Sequence, residues 1–346
     1  MTREIAVDLF SDTMTRPSPG MRRAIGEAEV GDEQRGEDPT VNLLQELVAE
    51  LLGKEAALFL PSGTMCNQIS FALHCRPGDE IIMDETAHPL NFEAGGPAAM
   101  ASALVRPLRG ERGIFTAGQL ADAIRYPDRH NPRTRAVSVE QTTNIAGGAC
   151  WPLGSITDVC TTAHKAGLAL HLDGARLLNA VVAKDVPAAE YAAPFDSSWI
   201  DMSKGLGAPV GAVLAGTKDF IAEAWVLKQR FGGAMRQAGI IAAGGVYALR
   251  HNVDRLAEDH ANAARLAQGL ADLPGIELDP SSVETNIVVF EVSGPLSAQE
   301  FADRMLAEHG VRFSQLSPTQ LRAVTHLDVS ADDIDTAIDA ARRILT

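Results

Sequence analysis

The sequence predicts an α/β protein: a mostly parallel central sheet flanked by helices, with a smaller C-terminal α+β domain. Three observations predict the architecture. Between about residues 40 and 245, short apolar runs alternate with amphipathic segments. Those runs are nearly continuous, which marks strands covered on both faces. Beyond about residue 275 the rhythm stops, and isolated strands and helices follow. The expected division is residues 1–245 for a large domain and 246–346 for a small one, the N-terminal segment being free to pack on the small domain.

Residues 41–52 carry helical spacing and stop before Gly53. Residues 56–60 read as a buried strand. Further strands are expected at 80–83, 136–139, 168–172, 198–202 and 210–214, with helices such as 155–166 between most of them. A long helical pattern begins near Ile240 and runs to about Glu258. Residues 284–291 read as a strand, 297–309 as a helix and 321–325 as a strand. Ser330 N-caps the last helix.

Composition narrows the function. The 346 residues are 46% hydrophobic and 22% charged, as in an ordinary globular protein. A formal net charge of −15 argues against nucleic acid or anionic membrane as the main partner. No apolar run is long enough to span a bilayer, and residues 1–8 contain no signal-peptide core, so a cytoplasmic location is expected. Cys66, Cys75, Cys150 and Cys160 show no metal spacing and are expected to be buried or unreactive thiols.

The chemistry begins with two residues. Asp173 closes one apolar run, and Lys204 closes the next, thirty-one positions later. An acid and a lysine at adjacent strand ends suit pyridoxal 5'-phosphate: the acid pairs with the pyridinium nitrogen, and the lysine holds the aldehyde as a Schiff base. Alone, Lys204 would be a surface lysine. Ser203, Gly205 and Gly207 instead indicate a tight turn that desolvates it. After Asp173, Gly174 and Ala175 permit close approach, and Arg176 can present a planar fork to a carboxylate. The segment 61–67 follows a strand and opens a helix. By itself it is an ordinary N-cap; beside Asp173 and Lys204 it reads better as a phosphate cup made by Gly63 and Thr64.

With these residues in view, the chain resembles the low-specificity L-threonine aldolases of the fold-type-I pyridoxal phosphate superfamily. The likeness covers nearly the whole length. It is carried by Ser11-Asp12-Thr13-Met14-Thr15-Arg16-Pro17, Gly36-Glu37-Asp38-Pro39, residues 53–64, His171-Leu172-Asp173-Gly174-Ala175-Arg176, Ser203-Lys204-Gly205-Leu206-Gly207, Met235-Arg236-Gln237 and Val324-Thr325-His326-Leu327-Asp328. The resemblance implies retro-aldol cleavage of L-β-hydroxy-α-amino acids, such as L-threonine, L-allo-threonine or phenylserine, to glycine and an aldehyde. Another fold-type-I activity, such as β-elimination or transamination, is the alternative. It implies that Ser11, Arg176 and Arg322 bind the substrate carboxylate and that His88 stacks on the cofactor and serves in proton transfer. Gly63, Thr64 and Ser203 would hold the phosphate, joined by Arg236 from this or a neighbouring subunit. It further implies a homotetramer, a dimer of dimers with active sites at the dimer interface.

Three positions depart from the family. Thr143 stands where a histidine is thought to contact the substrate β-hydroxyl, and threonine cannot act as a base near neutral pH. Either His88 or an ordered water would then assist, or the natural substrate differs. Arg35 replaces a tyrosine; it is either a solvated loop arginine or meets an acidic or polar group at the distal end of the substrate. Gln229 replaces a lysine near the phosphate or interface, with Lys228 or Arg230 as compensating cations.

Overall fold

The computed structural model describes residues 5–346. The first half of the N-terminal segment read for a signal-peptide core therefore lies outside the described residues. The short strand β1 (Val7–Asp8) comes first, followed by helices α1 (Pro19–Gly26) and α2 (Pro39–Leu52). A seven-stranded sheet is built from β2 (Ala56–Leu60), β3 (Glu80–Asp84), β4 (Leu104–Leu108), β5 (Thr134–Glu140), β6 (Ala169–Gly174), β7 (Ser197–Asp201) and β8 (Ala212–Gly216). Their order is β2-β8-β7-β6-β5-β3-β4. Only β8 runs against its neighbours; the other pairings are parallel. Strands β3, β6, β7 and β8 are buried at nearly every residue, which explains their continuous apolar reading.

Two elements differ from expectation. Strand β4 was not anticipated. It lies at the sheet edge, half exposed, and carries Arg106 and Pro107, so it offers no apolar run. The helical pattern from residue 240 is broken at Asn252 into helices Gly239–His251 and Leu256–Ala271. At the break, Asn252 Nδ2 donates to Leu206 O at 2.7 Å, tying the helix junction to the loop that carries Lys204.

The C-terminal sheet has the order β12-β13-β10-β9, from β9 (Ile276–Glu277), β10 (Ile287–Val292), β12 (Ser314–Gln315) and β13 (Gln320–Val324). Strand β11 (Val311–Arg312) pairs in parallel with β1. Val7 and Leu9 share a hydrophobic core with residues between Ala263 and Ile344, separate from the core beneath the large sheet. The N-terminal segment thus leaves the small core and passes directly into the site through Phe10 and Ser11. The last helix, Ala331–Leu345, is N-capped by Ser330, whose hydroxyl accepts from Asp333 N. All four cysteines are buried and unpaired.

In open α/β sheets, ligands bind beyond the carboxyl ends of the parallel strands. Here β5, β6 and β7 end on Glu140, Asp173-Gly174 and Asp201. Glu140 is the register partner of Asp173, and Asp173 that of Trp199. A Cβ on Gly174 would lie 2.0 Å from Trp199 O, so only glycine lets the strands meet there.

Candidate active site

At those strand ends lies a cavity of about 460 Å³. Ser11, Gly63, Thr64, His88, Asp173, Arg176, Ser203, Lys204 and Arg322 all line it, although they come from segments spread over most of the chain.

Helix α3 (Gly63–His74) points its N-terminus into this cavity. Ser62 Oγ accepts from Met65 N, leaving the N–H groups of Gly63 and Thr64 without partners among the described residues. Two such donors at the positive end of a helix dipole can hold an anion. Gly63 has a second reason to lack a side chain, since a Cβ there would lie 2.2 Å from the Trp199 ring.

Lys204 Nζ donates to Asp201 Oδ2 at 2.7 Å and lies 5.6 Å from the Trp199 ring centroid. Ser203 N and Oγ both donate to Asp201 Oδ1 at 2.8 Å. Asp173 is buried, accepting from Asn67 Nδ2 at 2.8 Å and from Ala175 N at 3.1 Å. Burial raises its pKa, an effect countered by His88, Asn67 and Lys204. His88 Nδ1 pairs with Glu93 Oε1 at 2.9 Å. Burial disfavours its charge, but the Glu93 hydrogen bond and nearby Asp173 and Glu140 carry its pKa above the ordinary histidine value.

Two arginines line the same cavity. Asp12 grips Arg176 with two bonds of 2.7 Å, Nε to Oδ2 and Nη2 to Oδ1. Asn144 Oδ1 accepts from Arg322 Nη1 at 2.6 Å and from Arg176 Nη1 at 3.5 Å. Among the described residues Arg322 has no carboxylate partner; its remaining bonds go to Ser314 Oγ and Phe10 O. Burial and the Arg176 charge pull its pKa down to about 10. Two guanidinium groups converging on one amide oxygen make a site that a ligand carboxylate would relieve. Ser11 lines the same wall, its Oγ accepting from Thr13 N at 3.2 Å and Thr13 Oγ1 at 2.9 Å.

Three expected site residues are not brought to the cavity. Thr143 is buried behind the wall, where its Oγ1 accepts from Ala149 N at 3.0 Å and its methyl faces Gly113. Its neighbour Asn144 lines the cavity instead. Arg236 is exposed and pairs with Asp32 at 2.9 Å. Arg35 is exposed on the same segment as Asp32, and its side chain makes no hydrogen bond or ion pair among the described residues. Lys228, considered as a substitute for the missing lysine at Gln229, is fully buried and bonded to Glu33 Oε2 at 2.9 Å. It is committed to the fold.

The sequence reading missed the supporting acids and amides: Asp12, Asn67, Glu93, Glu140, Asn144 and Asp201. Asp12, Glu140 and Asn144 lay within or beside quoted segments, but nothing local marks their partners. Glu140 is notable because only one of its oxygens is engaged, Oε2 accepting from Asn144 N at 3.2 Å. Burial and the adjacent Asp173 raise its pKa to about 8. The folded protein therefore holds a proton that the unfolded chain releases near its ordinary value of 4.5. Stability is expected to fall as pH rises through that window, toward 8. In Glu140→Gln the decline should flatten, measured as the cofactor-free melting temperature from pH 5 to about 8. Parallel wild-type and variant curves would exclude this titration.

A family model described as beta-eliminating lyase matches residues 8–293. The chain belongs to that family, a class of pyridoxal phosphate-dependent lyases. Within it, the chain is similar to the low-specificity L-threonine aldolases. It is 42% identical to that of Escherichia coli (strain K12) over 329 residues, 95% of this chain and 96% of that one. It is 37% identical to low-specificity L-threonine aldolase 1 of Arabidopsis thaliana over 334 residues, 95% of this chain and 93% of that one. The threonine aldolase structure from Leishmania major superimposes with a TM-score of 0.84 at 21% identity, covering 98% of this chain and 100% of that chain. A Sphingomonas wittichii serine palmitoyltransferase superimposes with a TM-score of 0.78 at 17% identity, covering 99% of this chain and 91% of that chain. The last two show the fold, that of fold-type-I pyridoxal phosphate enzymes.

Proposed function

We propose that the protein is an aldolase that cleaves L-β-hydroxy-α-amino acids, of the threonine, allo-threonine and phenylserine type, to glycine and an aldehyde. The single observation that carries this reading is one cavity that brings together two sets of groups. Among the described residues, one set offers Lys204, Asp173 and the free N–H groups of Gly63 and Thr64; the other offers Arg176 and the unpaired Arg322.

The first set fits pyridoxal 5'-phosphate. Gly63, Thr64 and Ser203 would hold its phosphate, Asp173 its ring nitrogen and Lys204 its aldehyde, with His88 against the ring. When bound, the cofactor supplies an electron sink for the pair left at Cα. The chain's own residues do the rest. Arg322, Arg176 and Ser11 bind and orient the amino-acid carboxylate, which fixes which Cα bond faces the ring. Asp12 and Asn144 hold the two guanidinium planes in place. With Thr143 turned away, His88, poised by Glu93, is the base for the β-hydroxyl proton. Glu140, with one oxygen unengaged, is a second proton carrier on the same wall.

Purified protein loaded with pyridoxal phosphate should convert L-threonine to glycine and acetaldehyde in equal amounts. Formation of a keto acid without glycine would instead establish elimination or transamination. No helix among the described residues is long and apolar enough to cross a membrane. A cytoplasmic location remains our reading, as does the boundary near residue 245. We also infer a homotetramer with active sites at the dimer interface. Arg236 and Arg35 are both exposed and do not line the cavity of their own chain, and Val30 and Ile240, close to them in sequence, are exposed apolar residues. A second copy packed there would bring Arg236 to the phosphate and Arg35 to the distal end of the substrate.

A further inference from the structure

Behind Asp173 runs a file of polar side chains, buried at Asn67, His171 and Ser197 and half-buried at its His74 end, that the mechanism above does not use. Asn67 sits at its centre, with four partners. Its Nδ2 lies 2.8 Å from Asp173 Oδ2 and 2.8 Å from Glu93 Oε1. Its Oδ1 lies 2.8 Å from Trp199 Nε1 and 2.9 Å from His171 Nε2. An indole N–H can only donate, so the amide oxygen must face Trp199, and the amide nitrogen must face the two acids. Reversing the amide would set two donors against each other.

That orientation dictates the next group. Asn67 Oδ1 can only accept, so His171 Nε2 must carry a proton. His171 is completely buried, and burial together with nearby His74 holds its pKa well below the ordinary value, so the ring is neutral. Its Nδ1 is then an acceptor, and Ser197 Oγ, 2.8 Å away, donates to it. Ser197 Oγ in turn lies 2.8 Å from His74 Nε2, which donates. Burial lowers the His74 pKa to about 4, so this ring too is neutral. Every proton in the file, from His74 through Ser197, His171 and Asn67, therefore points toward Asp173.

We propose that His171 is a positioning residue, held as the Nε2–H tautomer by Ser197, which locks Asn67 so that Asp173 presents a carboxylate to the ring nitrogen of the cofactor. The consequence for Asp173 rests on the pyridoxal phosphate reading; the tautomer does not. A lone buried acid would take up a proton to escape desolvation. A file of aligned donors, each polarising the next, opposes that and fixes the direction of its lone pairs.

The test has two arms. In the first, wild-type protein with 15N-labelled histidine is titrated by NMR between about pH 5 and 9. Two rings should stay neutral with the proton on Nε2, and one of these signals should vanish in His171→Gln. A His171 ring protonated on Nδ1, or on both nitrogens, overturns the proposal. In the second, cofactor-free His171→Leu and His171→Gln are titrated with pyridoxal phosphate. His171→Leu should weaken binding by roughly 10-fold or more, the scale of losses when a group behind a ligand is removed. It should also change the pH dependence of the bound cofactor's absorbance. His171→Gln keeps an N–H donor of similar reach and should bind within about 3-fold of wild type. Equal affinity and equal spectra for His171→Leu and wild type would also overturn the proposal. Wild type that fails to bind the cofactor would overturn the functional reading, leaving the NMR arm to judge the tautomer.

Discussion

Lys204→Ala is expected to lose both the absorbance of bound cofactor and nearly all turnover. The amine is the group that would hold the cofactor aldehyde, and no other lysine lines the cavity. The loss in kcat should be at least about 10⁴-fold, the upper end for removing a single positioned proton-transfer group. The fold should survive. Asp201 loses one donor but keeps Ser203 N and Ser203 Oγ, both at 2.8 Å, and it already lies at the cavity edge. Melting of the cofactor-free variant should therefore stay close to wild type, while the stabilisation that pyridoxal phosphate confers on wild type should largely disappear. Added cofactor that raises the melting temperature of the variant as much as that of wild type, or turnover near wild type, would remove Lys204 from the role given to it.

The residues that could be read from the sequence share one property: their meaning is local. Lys204 and Asp173 stand at the ends of apolar runs, and Gly63 and Thr64 open a helix after a strand. Strand position and helix start follow from short-range pattern. The residues that escaped notice act through partners far along the chain. Asn67 looks like one polar residue inside a helix, yet it bonds groups as distant as Trp199. Thr143 was placed by its position relative to a family histidine, but the chain turns there and gives its hydroxyl to Ala149 N–H. Lys228 was expected to compensate for the lysine missing at Gln229, and burial against Glu33 removes it from that role. Strand β4 was hidden because an edge strand need not be apolar on both faces. The break at Asn252 was hidden because its cause, Leu206 O, lies 46 residues away.

Asp12 gives the largest expected effect on stability. It is fully buried and holds Arg176, itself nearly inaccessible, in a two-pronged pair, with Asn286 Nδ2 donating a third bond at 3.0 Å. Burial alone would raise the Asp12 pKa, but the charge and hydrogen bonds of Arg176, with help from Lys204 and Asn286, carry it well below the usual carboxylate range. Asp12→Ala strands a buried guanidinium, and loss of one partner of such a pair costs about 3–5 kcal/mol. The variant should melt several degrees lower. Asp12→Asn keeps the shape, so any residual loss reports the charge. A group whose folded pKa is depressed stabilises fully above its unfolded pKa, 3.8 for Asp12, and the benefit is lost as pH falls toward the folded value. The gap between wild type and Asp12→Asn should thus be full at neutral pH and shrink steadily below about pH 4. A gap that does not change with pH would mean that Asp12 holds Arg176 by shape rather than charge. The same variant separates the two arginines in function. Arg322 takes its orientation from Asn144 and Ser314, so it should still recruit the substrate carboxylate when Asp12 is neutral. Arg176, freed from its anchor, should cost mainly correct orientation. KM is therefore expected to rise modestly while kcat falls further, because a misdirected Cα bond reacts slowly even when the substrate is bound.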